Sequence, residues 1–104
     1  MDKLSQLRKE YKKHQLTEEM ALGDPLSQFK VWIHEAVEAE LPEPNAFILS
    51  TVSENGTPAS RTMLLKGVDA GGFVFYTNYN SDKARDLAFF PVASICFLWL
   101  GLER

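Results

Sequence analysis

Two runs of β-forming residues flank an Asn55-Gly56 dipeptide, and this pattern constrains the fold more than any other part of the sequence. Residues 46–53 read Ala-Phe-Ile-Leu-Ser-Thr-Val-Ser, and a second run extends from about Ala59 to Val68. Asn-Gly between two such runs is the strongest short-range signal for a β-hairpin. The sequence therefore predicts a hairpin in the middle of the chain.

The residues after the hairpin predict that the sheet continues. A turn over 69–72 leads to a third strand over 73–78, and a largely apolar fourth strand covers 92–99. Ser81 or Asn80 is suited to cap a short helix between these last two strands. Four strands do not close a barrel, so we expect the last strand to need a neighbour from further sequence or from a second subunit.

A longer helix is predicted before the strands. Asp24 offers an N-cap side chain and Pro25 occupies the first helical position, so the helix should begin here and run to about Glu40. Its expected apolar face comprises Leu26, Phe29, Ile33, Ala36 and Val37. This helix should pack against one face of the sheet.

The chain divides into an arm and one domain. Residues 2–13 have a charged helical pattern with a thin apolar stripe, so we expect 1–23 to form a helical arm and connector. Residues 24–104 should form a single small domain. The order of elements indicates an α+β fold, mainly β, with a barrel-like sheet.

Composition excludes several classes of protein. The net charge is −3 and the pI about 5.3, which argues against a nucleic-acid partner. No apolar run approaches the roughly 20 residues that span a membrane, and the charged N-terminus is unlike a secretory signal. The one cysteine, Cys96, lies in an apolar run, where we expect a buried core residue. We expect a cytoplasmic, soluble protein without a metal site.

Arg61 and Lys66 flank a strand-like segment and are candidate phosphate ligands. Arginine suits bidentate phosphate binding, whereas lysine acts as a point charge. Five residues apart on a regular strand, the two side chains lie on opposite faces. They could share one ligand only across a bulge or a curved edge. Otherwise they serve two different ligands, or they are solvated charges that flank a core strand.

A second candidate lies where the third strand meets the following helix. Tyr76 and Thr77 end the strand, and Lys83 and Arg85 fall in the first turns of the helix, whose N-terminus attracts anions. Turn chemistry alone is the alternative explanation. The sequence shows no obvious general base or nucleophile, so the reactivity of an enzyme built on this chain would come from a cofactor.

Three of these segments resemble the pyridoxine/pyridoxamine 5'-phosphate oxidase family, in the same order. They are residues 61–67 (Arg-Thr-Met-Leu-Leu-Lys-Gly), 73–78 (Phe-Val-Phe-Tyr-Thr-Asn) and 81–84 (Ser-Asp-Lys-Ala). Residues 7–11 also resemble the family's N-terminal arm, and residues 102–104 the run after its fourth strand. Such collinearity over nearly the whole chain is more specific than any single motif.

The resemblance implies an FMN-binding split β-barrel, incomplete in this chain, with the flavin at a homodimer interface. It implies oxidation of pyridoxamine or pyridoxine 5'-phosphate to pyridoxal 5'-phosphate, with oxygen as the final acceptor. The implied FMN-binding residues are Arg61, Thr62, Met63, Leu64, Leu65, Tyr76, Thr77 and Lys83. Lys66 would reach the substrate phosphate, which agrees with two ligands on two faces. Arg8 and Tyr11 resemble arm residues that close over the substrate.

The sequence departs from the family in two respects. Asp82 stands where the family commonly has a second basic residue, and it would weaken phosphate binding unless it points away or Arg85 substitutes. The family is also about twice as long, so the chain is interpreted as its N-terminal half or as a truncated relative. Another split-barrel flavoprotein oxidoreductase and a non-catalytic flavin-binding or dimerisation module are the alternatives.

Overall fold

Two small antiparallel sheets form the framework of the structure, which is a computed structural model describing residues 2–7, 16–78 and 80–104. The helices are α1 (Asp2–Ser5), α2 (Pro25–Glu38) and α3 (Asp82–Phe89). The strands are β1 (Ala46–Val52), β2 (Pro58–Leu64), β3 (Gly67–Asp69), β4 (Gly72–Val74) and β5 (Ser94–Cys96), and a 3-10 turn covers Leu100–Leu102. The first sheet has the order β2-β1-β5, and β3 and β4 form the second. The protein is thus a mixed α and β structure with an open sheet.

The predicted hairpin is confirmed, and β1 and β2 pair along their full length from Ala46↔Leu64 to Val52↔Pro58. The turn is closed by the Gly56 N–H, which donates to the Ser53 carbonyl at 2.9 Å. Gly56 has φ +85°, a conformation that glycine adopts without steric cost. The Asn-Gly signal therefore reports the turn correctly.

The prediction of one strand over 59–68 is wrong, because the chain changes partners at Leu65 and Lys66. The Leu65 N–H donates to the Asn45 carbonyl at 2.8 Å, beside the first sheet. The next N–H, of Lys66, donates to the Val74 carbonyl at 2.8 Å, in the second sheet. A strand that passes from one sheet to another in this way forms a corner.

The third and fourth strands are shorter than predicted. Residues 73–78 were expected to be extended throughout, but β4 is only Gly72–Val74, because its partner β3 offers three residues. Residues 92–99 contain only Ser94–Cys96 as a strand, which pairs with three residues of β1 at the edge of the first sheet. Strand propensity alone does not reveal how long a partner will be.

An aromatic cluster joins α2 to both sheets. The Phe29 ring centroid lies 4.8 Å from that of Phe73 and 4.8 Å from that of Phe97. Phe97 in turn lies 5.5 Å from Trp99 and 5.2 Å from Phe47, centroid to centroid. Ring pairs at such distances stabilise a core beyond the burial of their area. This cluster fixes α2 over one face of the first sheet.

The helix α2 ends two residues before the predicted Glu40, and its buried face is narrower than expected. Phe29 and Ala36 are buried, seven residues or two turns apart. Val37, expected to be buried, is 54% exposed. One residue further along a helix turns the side chain by about 100°, which carries Val37 away from the sheet.

The expectation that Cys96 is buried is also wrong, since its side chain is exposed. Cys96 pairs with Ile48, and Ile95 pairs with the buried Leu49. Side chains alternate between the faces of a sheet, so Ile95 points to the core and Cys96 points outward. The sequence around Cys96 is apolar at successive positions, so it does not indicate which side chains face the core.

The predicted N-terminal arm is described only in part. The α1 helix over Asp2–Ser5 begins the expected helical segment, and residues 8–15 lie outside the described residues. In the part of the chain that the structure describes, no helix is both long and apolar enough to cross a membrane.

The start of α2 is fixed by Asp24, as predicted. Its carboxylate accepts hydrogen bonds from the Ser27 hydroxyl at 2.8 Å and the Ser27 N–H at 3.2 Å. These bonds hold the pKa of Asp24 below its usual value of 3.8, and the bond from the Ser27 hydroxyl has the largest effect. The ionised carboxylate is therefore the form that the cap stabilises.

We expect Asp24→Ala to lower the urea midpoint of unfolding at neutral pH, because helix N–H groups lose their acceptor. A carboxyl whose folded-state pKa is depressed contributes stability that is present above the unfolded-state pKa and is lost as the pH falls through the folded-state value. The difference between the wild type and Asp24→Ala should therefore shrink below about pH 4. A difference that does not change with pH would contradict this role of the ionised cap.

Candidate functional site

Arg61 lies on the inner face of the first sheet, where its guanidinium is mostly enclosed. It pairs with Leu49 across the hairpin, and its side chain is 22% exposed. Nη1 donates to the Thr51 hydroxyl at 2.7 Å and contacts the Leu49 carbonyl at 3.4 Å. Nη2 lies 4.0 Å from Oδ2 of Asp86. Arg61 is therefore held by partners on two other elements, not left as a solvated surface charge.

Thr51 and Asp86 complete this polar network. Thr51 is 1% exposed, and its hydroxyl donates to Oδ2 of Asp86 at 2.9 Å. The side chain of Asp86 is 12% exposed, on the side of α3 that packs on β1. One hydroxyl thus joins β1, β2 and α3.

The N-terminal turn of α3 carries the remaining candidate phosphate ligands of this region. The Ser81 hydroxyl caps the helix, accepting from the Ala84 N–H at 3.2 Å and donating to the Asn78 carbonyl at 2.7 Å. The Thr77 hydroxyl lies 3.4 Å from that of Ser81. Lys83, half-buried, follows two residues after the cap. The Ser81 hydroxyl donates its only proton to Asn78, so the side chains here that could bind an anion are Thr77 and Lys83, at the N-terminus of a helix.

Lys83 and Arg61 are linked through the same helix. Lys83 precedes Asp86 by three residues, so the two side chains are neighbours on the surface of α3, about 4.5 Å apart along its axis. Asp86 faces the Arg61 guanidinium. The contact between Asp86 and Arg61 therefore brings α3, which carries Lys83, next to Arg61 on β2.

Asp82, the departure from the family pattern, forms an exposed ion pair with Arg85. The side chains are 84% and 67% exposed, and Arg85 also reaches the Asn80 carbonyl at 3.5 Å. Arg85 offsets the negative charge of Asp82 locally, but an ion pair this exposed to solvent contributes little to stability. Arg85 is engaged with Asp82 in this structure.

The segment from Arg61 to Lys66 alternates between two environments. Arg61 and Met63 are partly buried and Leu65 is buried. Their neighbours Thr62, Leu64 and Lys66 are exposed. Arg61 and Lys66 therefore lie in different environments, one partly buried and the other exposed, with the end of the strand at Leu64 between them.

The other predicted site residues are only partly brought together. Tyr76 is 74% exposed and, with Thr77, lies between β4 and α3, not on a strand. Arg8 and Tyr11 lie outside the described residues, so their predicted contacts with the substrate stay predictions. Among the described residues, no group of three or more histidine, cysteine, aspartate or glutamate side chains could hold a metal ion.

Sequence reasoning missed Thr51 and Asp86. A weak signal for Thr51 was present, since it follows Phe47 and Leu49 at alternate positions of one strand and is the polar member of that inner face. A hydroxyl in that place needs a partner. Nothing local indicated that the partners would be Arg61 and Asp86.

One family profile matches most of the sequence. The profile described as "Pyridoxamine 5'-phosphate oxidase" matches residues 33–104. The protein is therefore classed as a domain of an oxidase family with a mixed α and β fold. The chain belongs to the pyridoxamine 5'-phosphate oxidase family.

Curated relatives agree with this assignment. Pyridoxine/pyridoxamine 5'-phosphate oxidase of Thermosynechococcus vestitus is 51% identical over 104 residues, which are 100% of this chain and 49% of the relative. The enzyme of the same name from Salinibacter ruber is 50% identical over 100% of this chain and 48% of the relative. The chain thus spans about half the length of the curated relatives it matches.

Solved structures show the same fold in part. PhzG from Burkholderia lata, solved with tetrahydrophenazine-1-carboxylic acid, matches with a TM-score of 0.76 and 29% identity, over 82% of this chain and 43% of that chain. A pyridoxamine 5'-phosphate oxidase-related, FMN-binding protein from Nostoc punctiforme matches with a TM-score of 0.60 and 29% identity. The match covers 68% of this chain and 39% of that chain.

We expect Arg61→Met to destabilise the ligand-free chain by about 1–3 kcal/mol, because it leaves the enclosed Asp86 carboxylate without its cation. Lys66→Met should change stability by less than about 0.5 kcal/mol, because Lys66 is exposed. Urea unfolding of both variants measures the difference. Equal losses in the two variants would show that Arg61 is not held as described.

Proposed function

We propose that this chain supplies the FMN site and part of the substrate site of an oxidase that converts pyridoxamine or pyridoxine 5'-phosphate to pyridoxal 5'-phosphate. The observation that carries the proposal is the 51% identity, over the whole chain, to an enzyme named for this activity. The different environments of Arg61, partly buried, and Lys66, exposed, support it, because the reaction needs two phosphorylated ligands.

The donor set of the site fits the FMN phosphate. Arg61 has five N–H donors, and its hydrogen bonds within the described residues use Nη1. In this proposal the Nε and Nη2 donors would bind the phosphate, although Nη2 also lies 4.0 Å from Oδ2 of Asp86. In this proposal Arg61 and Lys83 bind the phosphate, with Thr77 nearby as a hydroxyl donor. Bound FMN would supply the redox chemistry, taking hydride from the substrate and passing electrons to oxygen to give hydrogen peroxide.

The remaining assigned residues shape the flavin and substrate pockets. Residues 62–65 and Tyr76 would line the flavin, since the aromatic ring of Tyr76 is exposed and available for contact. Lys66 would bind the substrate phosphate as a point charge from the other side of the strand. The proposed role of Arg8 and Tyr11 is to cover the substrate and exclude water.

We propose that the complete enzyme is a homodimeric split barrel. The outer face of the first sheet supports this, because it leaves apolar side chains exposed to solvent. They are Ile48, Leu64 and Cys96, and Leu98 is exposed just beyond the end of β5. Apolar surface of this kind is normally covered by further chain or by another subunit.

A different flavoprotein oxidoreductase is the second candidate. The match to PhzG, solved with a phenazine derivative, favours it because that protein shares the fold and carries a different ligand. The 29% identity to PhzG against 51% to the B6-phosphate oxidase favours the first proposal. A non-catalytic flavin-binding or dimerisation module is consistent with the half-length match.

Three outcomes of one experiment separate these candidates. The purified chain is incubated with FMN, its flavin absorbance is recorded, and peroxide is measured on adding pyridoxamine 5'-phosphate. Flavin uptake with peroxide supports the oxidase, and flavin uptake without turnover supports the other two candidates. A chain that remains colourless with added FMN would contradict all three for this chain alone.

We expect Arg61→Ala to weaken FMN binding by about 10- to 100-fold, the effect of losing a charged hydrogen bond to the phosphate. Lys66→Ala should mainly raise the KM for pyridoxamine 5'-phosphate, because it removes binding to the substrate and not to FMN. Flavin fluorescence titration and initial rates measure the two effects. Equal loss of FMN affinity in both variants would rule out two separate ligands.

A further inference from the structure

We propose that Thr51 and Asp86 are positioning residues for the FMN phosphate, acting through Arg61. The inference rests on the proposed function, in which Arg61 binds that phosphate. The two residues hold the Arg61 guanidinium in one orientation and tie α3, which carries Lys83, to the same point. Neither residue contacts the phosphate in this proposal.

The Thr51 hydroxyl is the centre of the arrangement. It accepts from Nη1 of Arg61 at 2.7 Å and donates to Oδ2 of Asp86 at 2.9 Å. Both donor–acceptor distances are within the normal hydrogen-bond range. Because Thr51 is 1% exposed, water does not compete for these bonds. The threonine side chain is also stiff at χ1. The hydroxyl therefore fixes one side of the guanidinium fork.

Asp86 acts on Arg61 over a longer distance. Oδ2 lies 4.0 Å from Nη2, beyond hydrogen-bond range but close enough for charge attraction in a mostly enclosed site. The same oxygen accepts from Thr51, so the carboxylate is anchored on β1. Because Asp86 is one turn after Lys83, this anchor also fixes the first turn of α3 against the sheet. A site whose ligands are held before binding loses less entropy when the ligand arrives.

Simple electrostatics predicts the opposite effect for Asp86. A carboxylate beside a phosphate site repels the phosphate, so its removal should tighten FMN binding. If Asp86 positions Arg61, its removal should weaken FMN binding instead. The sign of the change therefore distinguishes the two roles, and Asp82 provides the matched control. Asp82 is on the same helix and carries the same charge, but it is exposed and pairs with Arg85.

The experiment compares four single variants of the whole chain by flavin fluorescence titration. Thr51→Val, which keeps the shape and removes the hydroxyl, and Asp86→Ala should each raise the Kd for FMN about five- to tenfold. Thr51→Ser, which keeps the hydroxyl, should stay within about twofold of the wild type, and Asp82→Ala should not raise the Kd. The Kd for riboflavin, which lacks the phosphate, should stay within about twofold in all four.

A double-variant cycle tests whether the effect passes through Arg61. In the Arg61→Ala background, Thr51→Val should cause no further loss of FMN affinity, because the group that it positions is gone. Tighter FMN binding by Asp86→Ala, equal effects of Thr51→Val and Thr51→Ser, or parallel loss of riboflavin would each overturn the positioning role. The last of these would show a general structural effect.

The two proposals fail in different ways. If Arg61→Ala leaves FMN affinity unchanged, or the chain takes up no FMN, the proposed function of Arg61 is overturned and the positioning role with it. If Arg61→Ala weakens FMN binding while Thr51→Val and Asp86→Ala do not, only the positioning role is overturned.

Discussion

The alternation of side chains along β1 is the constraint on which the rest of the structure depends. As the central strand of the first sheet, β1 carries Phe47, Leu49 and Thr51 on its inner face. The two apolar residues belong to the core, and the hydroxyl of the third binds Arg61 and Asp86. A slip of the register by one residue would expose the core and break the polar network together. The fold and the candidate site therefore depend on the same strand pairing.

The enclosed charges near the site are tolerated because their partners are close. Arg61 and Asp86 are both mostly shielded from water, and an enclosed charge without a partner is costly. Thr51 contacts both, so neither charge depends on the 4.0 Å ion pair alone. No buried side-chain nitrogen or oxygen among the described residues lacks a hydrogen-bond partner. In the proposed function, the same network would hold Arg61 in place for a phosphate, so one set of contacts would serve both stability and binding.

The two ends of the segment from Arg61 to Lys66 differ in environment. Arg61 is fixed by the sheet and α3, whereas Lys66 is exposed just after the chain changes from one sheet to the other. In the proposed function, an arginine held by several partners would bind the cofactor phosphate, and an exposed lysine would bind the substrate that leaves after each turnover. This difference gives a physical reason for assigning the two phosphates in the order proposed.

The sequence by itself determined the family, the central hairpin, the Asp24 helix cap and the start of α3 at Asn80 or Ser81, and the structure selects Ser81. These features depend on local signals: turn residues and capping side chains. Only the tertiary structure decided the break at Leu65, the short outer strands and the outward direction of Cys96, because these depend on which strand pairs with which. It also decided that Thr51 and Asp86 meet Arg61, since these three residues come from three elements and are distant in sequence.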